Sequence, residues 1–521
     1  MTAGGRSHVV DEAGDEPILS SGDPVLGGAG SAAAAATSDE GLTRRAARGG
    51  VVTVGGQVLK IVVQVLAVVL LARQLSPADY GLVAMVLAVI GVADIFRDFG
   101  LSSAAVQAKH LSTDQRSNLF WVNVGIGVAL AGLAFAGAPL LALVYQRPEL
   151  TEVARVLSVA FLLNGVATQY RADLNRRMRF AALAFADLLA PAVGLAAALV
   201  AVHLGAGYWA IVTQQLVTIA VMLIVVLGCG RWMPGRPRRD VAMDGMLRFG
   251  SNLAGSQVLG YLGKNVDSLT IGVRFGATPL GIYNRGFQLL MTPLGQLRAP
   301  TTTVALPVLS SLRADEVRYS AYLRRGQLVM GYTLVAGLGL VIGGAQPLAA
   351  VLLGPQWLSV TPILRLLALA GMFQTLAYVG YWVYLSRGLT RQLLLYTIVT
   401  TVMVTVCILV GSTWGVVGVA AGYAVSAAVE WPLSFWWLSS RSAIPVRDLV
   451  HGALRIVAFT LLVAGFAAAG DLLTASLGEG VRFAVVVVAG VGGYVVLATA
   501  VPVFRRDVSG VLRLVRRGVR R

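Results

Sequence analysis

From Val51 onward the chain alternates between apolar stretches near 20 residues long and short polar breaks. A helix rises 1.5 Å per residue, so each stretch is long enough to cross a hydrocarbon core of about 30 Å. Fourteen such stretches can be marked, at 51–72, 81–103, 118–145, 153–170, 182–203, 207–229, 249–273, 280–305, 328–353, 361–386, 392–411, 414–438, 452–473 and 482–504. Their apolar runs are continuous, whereas barrel strands would alternate. Only 13% of residues are charged, about half the share of a soluble protein. This excludes a water-soluble multidomain enzyme and a disordered chain. The expected fold is an all-α membrane protein of about 14 transmembrane helices.

The breaks carry an orientation signal. Those after even-numbered stretches hold nineteen Lys or Arg, and those after odd-numbered stretches hold three, Arg73, Arg147 and Arg274. Basic loops stay on the cytoplasmic side, so both termini are expected there, in a multi-pass membrane protein. The net charge of +17 then reflects membrane topology and not nucleic acid. Arginines from Arg505 to Arg521 suit anionic headgroups of membrane lipids. Residues 1–45 read as a disordered cytoplasmic tail, 46–230 as one lobe of six helices, 240–440 as a second, 450–505 as two further helices and 506–521 as a basic tail. Pro139 is expected to kink or shorten the third helix. The short gaps before 207 and 414 predict tight hairpins. Cys229 and Cys407 lack pair-like spacing and the four His are scattered, so no disulfide, metal site or cofactor is expected.

The sequence echoes itself at an offset of 200. Leu75-Ser76-Pro77-Ala78-Asp79-Tyr80-Gly81 falls on Phe275-Gly276-Ala277-Thr278-Pro279-Leu280-Gly281, and Gln57 and Gln64 fall on Gln257 and Lys264. Two equivalent lobes are what a rocking transporter needs to expose a central site to each face in turn.

Charges inside the apolar stretches point to that site. Thr53, Gln57, Lys60 and Gln64 share one helical face. Such a stripe must face protein or water, because lipid cannot satisfy it. Lys264 lies with Gln257 and Tyr261 on its face, and Asp267 stands within pairing distance at i+3. Arg285 opens the eighth stretch, its face continued by Gln288 and Thr292, and Arg298 lies lower on the same helix. Asp94, Arg97 and Asp98 cluster near the inner end of the second stretch. A charge at the bilayer centre costs at least about 2.5–3.5 kcal/mol, so these groups imply a shared water-filled cavity. Salt bridging between helices is the structural alternative for Arg97 and Lys264. Lys60 and Arg285 have no acid at i±3 or i±4 and are the better ligand candidates for an anion, a phosphate or pyrophosphate. Asp94, Asp98, Asp187 and Glu430 are the candidate ion-coupling acids. Asp187, Gln214, Gln215, Asn164, Gln374 and Glu430 each read, singly, as helix-packing hydrogen bonds. Tyr378, Tyr381, Trp382 and Tyr384 read either as sugar-stacking rings or as an interfacial belt. Arg155, Arg365, Arg455 and Arg482, near stretch ends, are expected to snorkel.

Several segments resemble a known family. Ser76-Pro77-Ala78-Asp79-Tyr80-Gly81-Leu82, Asp98-Phe99-Gly100-Leu101-Ser102, Phe120-Trp121-Val122-Asn123, Gly207-Tyr208-Trp209-Ala210, Asn265-Val266-Asp267-Ser268, Gly281-Ile282-Tyr283-Asn284-Arg285 and Gln356-Trp357 resemble bacterial polysaccharide-repeat flippases. These form the Wzx-like branch of the multidrug/oligosaccharidyl-lipid/polysaccharide exporter superfamily, with colanic-acid and teichuronic-acid exporters nearest. The resemblance covers roughly residues 45–450. It implies two six-helix lobes with two extra helices, and translocation of an undecaprenyl-pyrophosphate-linked oligosaccharide to the outer leaflet. It also implies glycosyltransferases and a polymerase as pathway partners, and cavity cations for the pyrophosphate, with Lys60, Lys264 and Arg285 in matching positions. Similar sequences often have Arg in place of Lys264. The acidic N-terminal tail departs from the family. The rivals are an ion-coupled drug exporter of the same fold and a membrane glycosyltransferase or polymerase. The drug exporter should favour cavity acids, and the enzyme should need a large outward loop or an acidic pair.

Overall fold

A computed structural model describes residues 56–98, 112–230, 232–238, 263, 265–440, 442 and 444–519, without the side chains of 90, 92–98 and 514–519. The 1–45 tail, Gln257 and Lys264 lie outside the described residues. So do the side chains of Asp94, Arg97 and Asp98, although their backbone belongs to a helix.

Fifteen helices account for nearly all of the described chain, and no strand occurs among the described residues. They are α1 (Gly56–Ala72), α2 (Pro77–Asp98), α3 (Thr113–Tyr145), α4 (Glu149–Arg176), α5 (Phe180–His203) and α6 (Trp209–Cys229). Then follow α7 (265–275), α8 (Ala277–Ser311), α9 (Glu316–Leu352), α10 (Thr361–Ser386), α11 (Thr390–Gly411), α12 (Gly415–Ser439), α13 (Val446–Leu473), α14 (Glu479–Ala500) and α15 (Pro502–Val519). Helices α1–α14 fall on the fourteen apolar stretches in order, and the chain is a multi-pass membrane protein. Pro139 does not end α3, which runs 33 residues through it. The two short gaps are hairpins as expected. Gly205 and Gly207 take φ of 77° and 55° between α5 and α6, and Gly415 takes 79° between α11 and α12, a region open to glycine at no steric cost.

Within the first six helices, α3 packs on α4, and α6 on both α4 and α5. Within the second six, α8 and α12 pack on α10, and α11 on α12. The main junction between the groups is a crossing of α2 over α8. A methyl group at Gly81 would overlap the Ala277 carbonyl, and one at Gly281 would overlap the Pro77 carbonyl. Each contact is the other shifted by 200 residues, so the sequence echo is a reciprocal backbone-to-backbone contact. Glycine permits this approach because nothing projects from its Cα. Nearby, the Trp357 indole and the Gln356 amide donate to the Ala72 carbonyl at 2.7 and 3.0 Å. Arg73 donates to the Val351 carbonyl. All of this lies at the end of the bundle that is poor in arginine.

Helices α13 and α14 pack on each other and on the second half of α9. There Gly339 meets the Thr460 carbonyl and Gly343 the Ala464 carbonyl, the small-residue packing that lets membrane helices approach. Helix α9 carries a π-helical turn at Gly331–Val335. Arg482 does not snorkel. It is 7% exposed and bonds Asp471 at 2.7 Å and Glu479 at 2.9 Å, joining α14 to α13. Removing one partner of a buried pair strands the other's charge. Asp471→Ala is therefore expected to cost about 3 kcal/mol, read as a lower melting temperature of the purified protein. Asp471→Leu with Arg482→Met should recover most of the loss.

The region read as a basic tail is helical from Pro502. In α15, Phe504, Val508 and Val511 are buried, while Arg505, Arg506 and Arg513 are exposed. Phe504 packs edge-on against Phe459 at 5.0 Å, and Asp507 bonds Arg455 at 3.1 Å and accepts from the Tyr332 hydroxyl at 3.1 Å.

Candidate functional site

A cavity of about 500 Å³ lies between the first and second groups of six helices. Helix α1 contributes Lys60 and Gln64, α2 Tyr80, α6 Gln214, Gln215 and Thr218, and α8 Asn284, Arg285, Gln288, Thr292 and Gln296. The α8 residues from Arg285 to Gln296 recur at three- and four-residue steps, so the helix presents them as one stripe. Lys60 stands twelve residues from the end of α1 and Arg285 eight from the start of α8. At 1.5 Å per residue these are depths of about 18 and 12 Å, near the middle of a 30 Å core.

The cavity is capped by the α2–α8 crossing. The Arg285 guanidinium sits 3.4 Å from the centroid of the Tyr80 ring, and Tyr80 packs edge-on against Trp357 at 5.6 Å. Arg285 is 7% exposed, and no ion pair to it occurs among the described residues. The Tyr80 hydroxyl is buried with no hydrogen-bond partner. A lone guanidinium and an orphan hydroxyl therefore stand at one cavity whose wall mixes amides and hydroxyls with apolar side chains such as Val83, Leu87 and Ile211, the arrangement that an anion would complete.

Lys60 is placed differently. Its ammonium lies 3.9 Å from Asp187 on α5, whose other oxygen takes Arg171 of α4 at 3.1 Å. The i±4 rule cannot see this partner, because it arrives from another helix. Gln64 accepts from Gln296 at 2.8 Å, and Gln57 donates to Gln296 at 3.4 Å, tying α1 to α8.

Other candidates fall outside the cavity wall. Arg298 lies 5.8 Å from the Tyr378 ring on α10, its Nε buried without a partner. Glu430 on α12 receives the Tyr396 hydroxyl at its backbone carbonyl. Asp267 accepts from the Tyr283 hydroxyl at 2.7 Å and from the Ser268 amide at 2.6 Å. Gln374 donates to the Tyr423 hydroxyl at 2.9 Å, a packing bond as read. Tyr378 packs on Tyr381 and Trp382 and meets the Thr302 hydroxyl, all within the second group. Sequence reasoning passed over Tyr80, Gln214, Gln215 and Gln296 as wall residues. Extending the Arg285 stripe by one turn would have found Gln296.

Residues 70–362, more than half of the chain, match the family described as polysaccharide biosynthesis protein. The chain belongs to that family. This family member is 24% identical over 372 residues to the lipopolysaccharide biosynthesis protein WzxC of Escherichia coli strain K12, spanning 70% of this chain and 75% of the relative. It is 27% identical over 305 residues to the teichuronic acid biosynthesis protein TuaB of Bacillus subtilis strain 168, spanning 57% and 62%. The resemblance read from the sequence is borne out. Among solved structures, the lipid II flippase MurJ in an inward closed conformation superimposes with a TM-score of 0.67 at 13% identity, over 88% of this chain and 99% of that one. At that identity the likeness is one of fold.

Proposed function

We propose that this protein carries an undecaprenyl-pyrophosphate-linked oligosaccharide from the inner to the outer leaflet of a bacterial cytoplasmic membrane. The observation that carries the reading is Arg285, buried mid-membrane without a carboxylate, facing a cavity between two groups of helices. A diphosphate would take Arg285 and Lys60 from opposite walls and the Tyr80 hydroxyl at the cap. The glutamines, Asn284 and Thr292 would serve sugar hydroxyls, while the polyprenyl chain stays in lipid. The excess of basic residues at one end supports a cytoplasmic position for that end and for both termini. The end closed by Gly81, Gly281 and Trp357 is then the outer one. Rocking the two groups about their junction exposes the cavity to the other face. No covalent step is required, so the protein acts as a transporter and not as an enzyme. Glycosyltransferases assemble its substrate, and a polymerase consumes its product.

The polar groups of the cavity wall are cations, amides and hydroxyls, and no carboxylate belongs to its lining among the described residues, which disfavours export of organic cations. A deletion strain should accumulate lipid-linked repeats whose sugars face the cytoplasm, protected in intact spheroplasts from an added glycosidase. Accumulation of unpolymerised repeats already outside would reject the reading in favour of an enzyme.

A further inference from the structure

Three helices meet around one carboxylate. Asp187 of α5 divides its two oxygens between Arg171 of α4, at 3.1 Å, and Lys60 of α1, at 3.9 Å. The two contacts differ in kind. The Arg171 contact lies within hydrogen-bond range, whereas 3.9 Å is a loose ion pair with no hydrogen bond behind it. Only Lys60 of the three lines the cavity. Asp187 also stands four residues before Pro191, a cavity-wall residue that cannot donate back to the Asp187 carbonyl.

We propose that Asp187 is a specificity-determining residue, an internal anion that competes with the ligand headgroup for Lys60. This rests on the anionic-headgroup reading of the cavity. When Lys60 turns to a ligand, Asp187 keeps Arg171, so no carboxylate is stranded in the membrane interior. A monoanion offers Lys60 only what Asp187 already supplies. A diphosphate carries enough charge to replace Asp187 at Lys60 and to engage Arg285 on the facing wall. Asp187 therefore weakens every anion but penalises monoanions most, which biases the cavity toward a diphosphate.

The test is direct binding to the full-length protein in nanodiscs, with inorganic pyrophosphate and dimethyl phosphate as probes. Asp187→Asn should tighten dimethyl phosphate by about fivefold, the upper range for a partly exposed ion pair, and pyrophosphate by less. Arg171→Gln, which frees Asp187 to hold Lys60, should weaken both. In a Lys60→Gln background, Asp187→Asn should change neither affinity. Unchanged or weaker binding by Asp187→Asn, or equal tightening without Lys60, overturns the proposal. If the wild-type protein binds no pyrophosphate, the anionic-headgroup reading falls with it. If it binds but the Asp187 and Lys60 effects simply add, only this proposal falls.

Discussion

Replacing Lys60 and Arg285 together with glutamine is expected to lower polysaccharide export at least ~100-fold, with the protein still present in the membrane at its usual amount. A hydrogen bond to a charged group contributes about 1.5–3 kcal/mol, and each 1.4 kcal/mol is a factor of ten. Two such contacts made by one diphosphate therefore reach the stated loss even at the low end. The single changes should differ. Lys60 already shares Asp187, so its removal leaves a carboxylate still held by Arg171 and should be the milder. Arg285 lies buried against Tyr80, and lysine there would keep the charge but lose the planar fork that stacks and binds bidentately. Arg285→Lys should therefore fall between wild type and Arg285→Gln. The measurement is export in a deletion strain carrying each variant, with membrane content followed by immunoblot. Undiminished export by the double variant would remove these residues from the mechanism.

Gly81→Ala combined with Gly281→Ala is expected to open the arginine-poor end and to reduce export at least tenfold. Each added methyl overlaps a backbone carbonyl of the opposite helix. A carbonyl in a helix cannot swing aside as a side chain can, so α2 and α8 must separate. Overpacking of this kind costs roughly 1–3 kcal/mol, and that cost falls only on states in which the two helices cross. The balance should shift toward the open arrangement by about tenfold or more. A cysteine at Val83, buried in the cavity wall beneath the crossing, with Cys229 and Cys407 replaced by serine, should then react faster with a membrane-impermeant maleimide added from outside. Labelling unchanged from the glycine parent would show that the crossing does not govern access.

The fold was legible because hydrocarbon imposes a length and sidedness that survive in plain hydropathy. The crossing of α2 and α8 was legible too, as the match of Pro77 and Gly81 with Ala277 and Gly281, although sequence alone could not show that the matched residues touch. Lys60 and Arg285 stood out because charge is rare in such stretches. Gln214, Gln215 and Gln296 did not, because a single amide in a membrane helix serves packing and solvent equally well. The pairing of Lys60 with Asp187 was hidden for a geometric reason, since its partner comes from a helix more than a hundred residues away. Arg482 misled because a basic residue near a span end can reach the interface, yet here two carboxylates hold it inside. Helix α15 was read as a tail because its alternating Arg and Val dilute hydropathy, while its apolar residues still gather on one side to dock.

The reciprocal contact at Gly81 and Gly281 is the one that two copies of a half-length protein would make across a dyad. The single chain thus carries a dimer-like contact in covalent form. A gene cut between α6 and α7 would yield two fragments that each retain their half of the interlock, and co-expression would let them find one another in the bilayer.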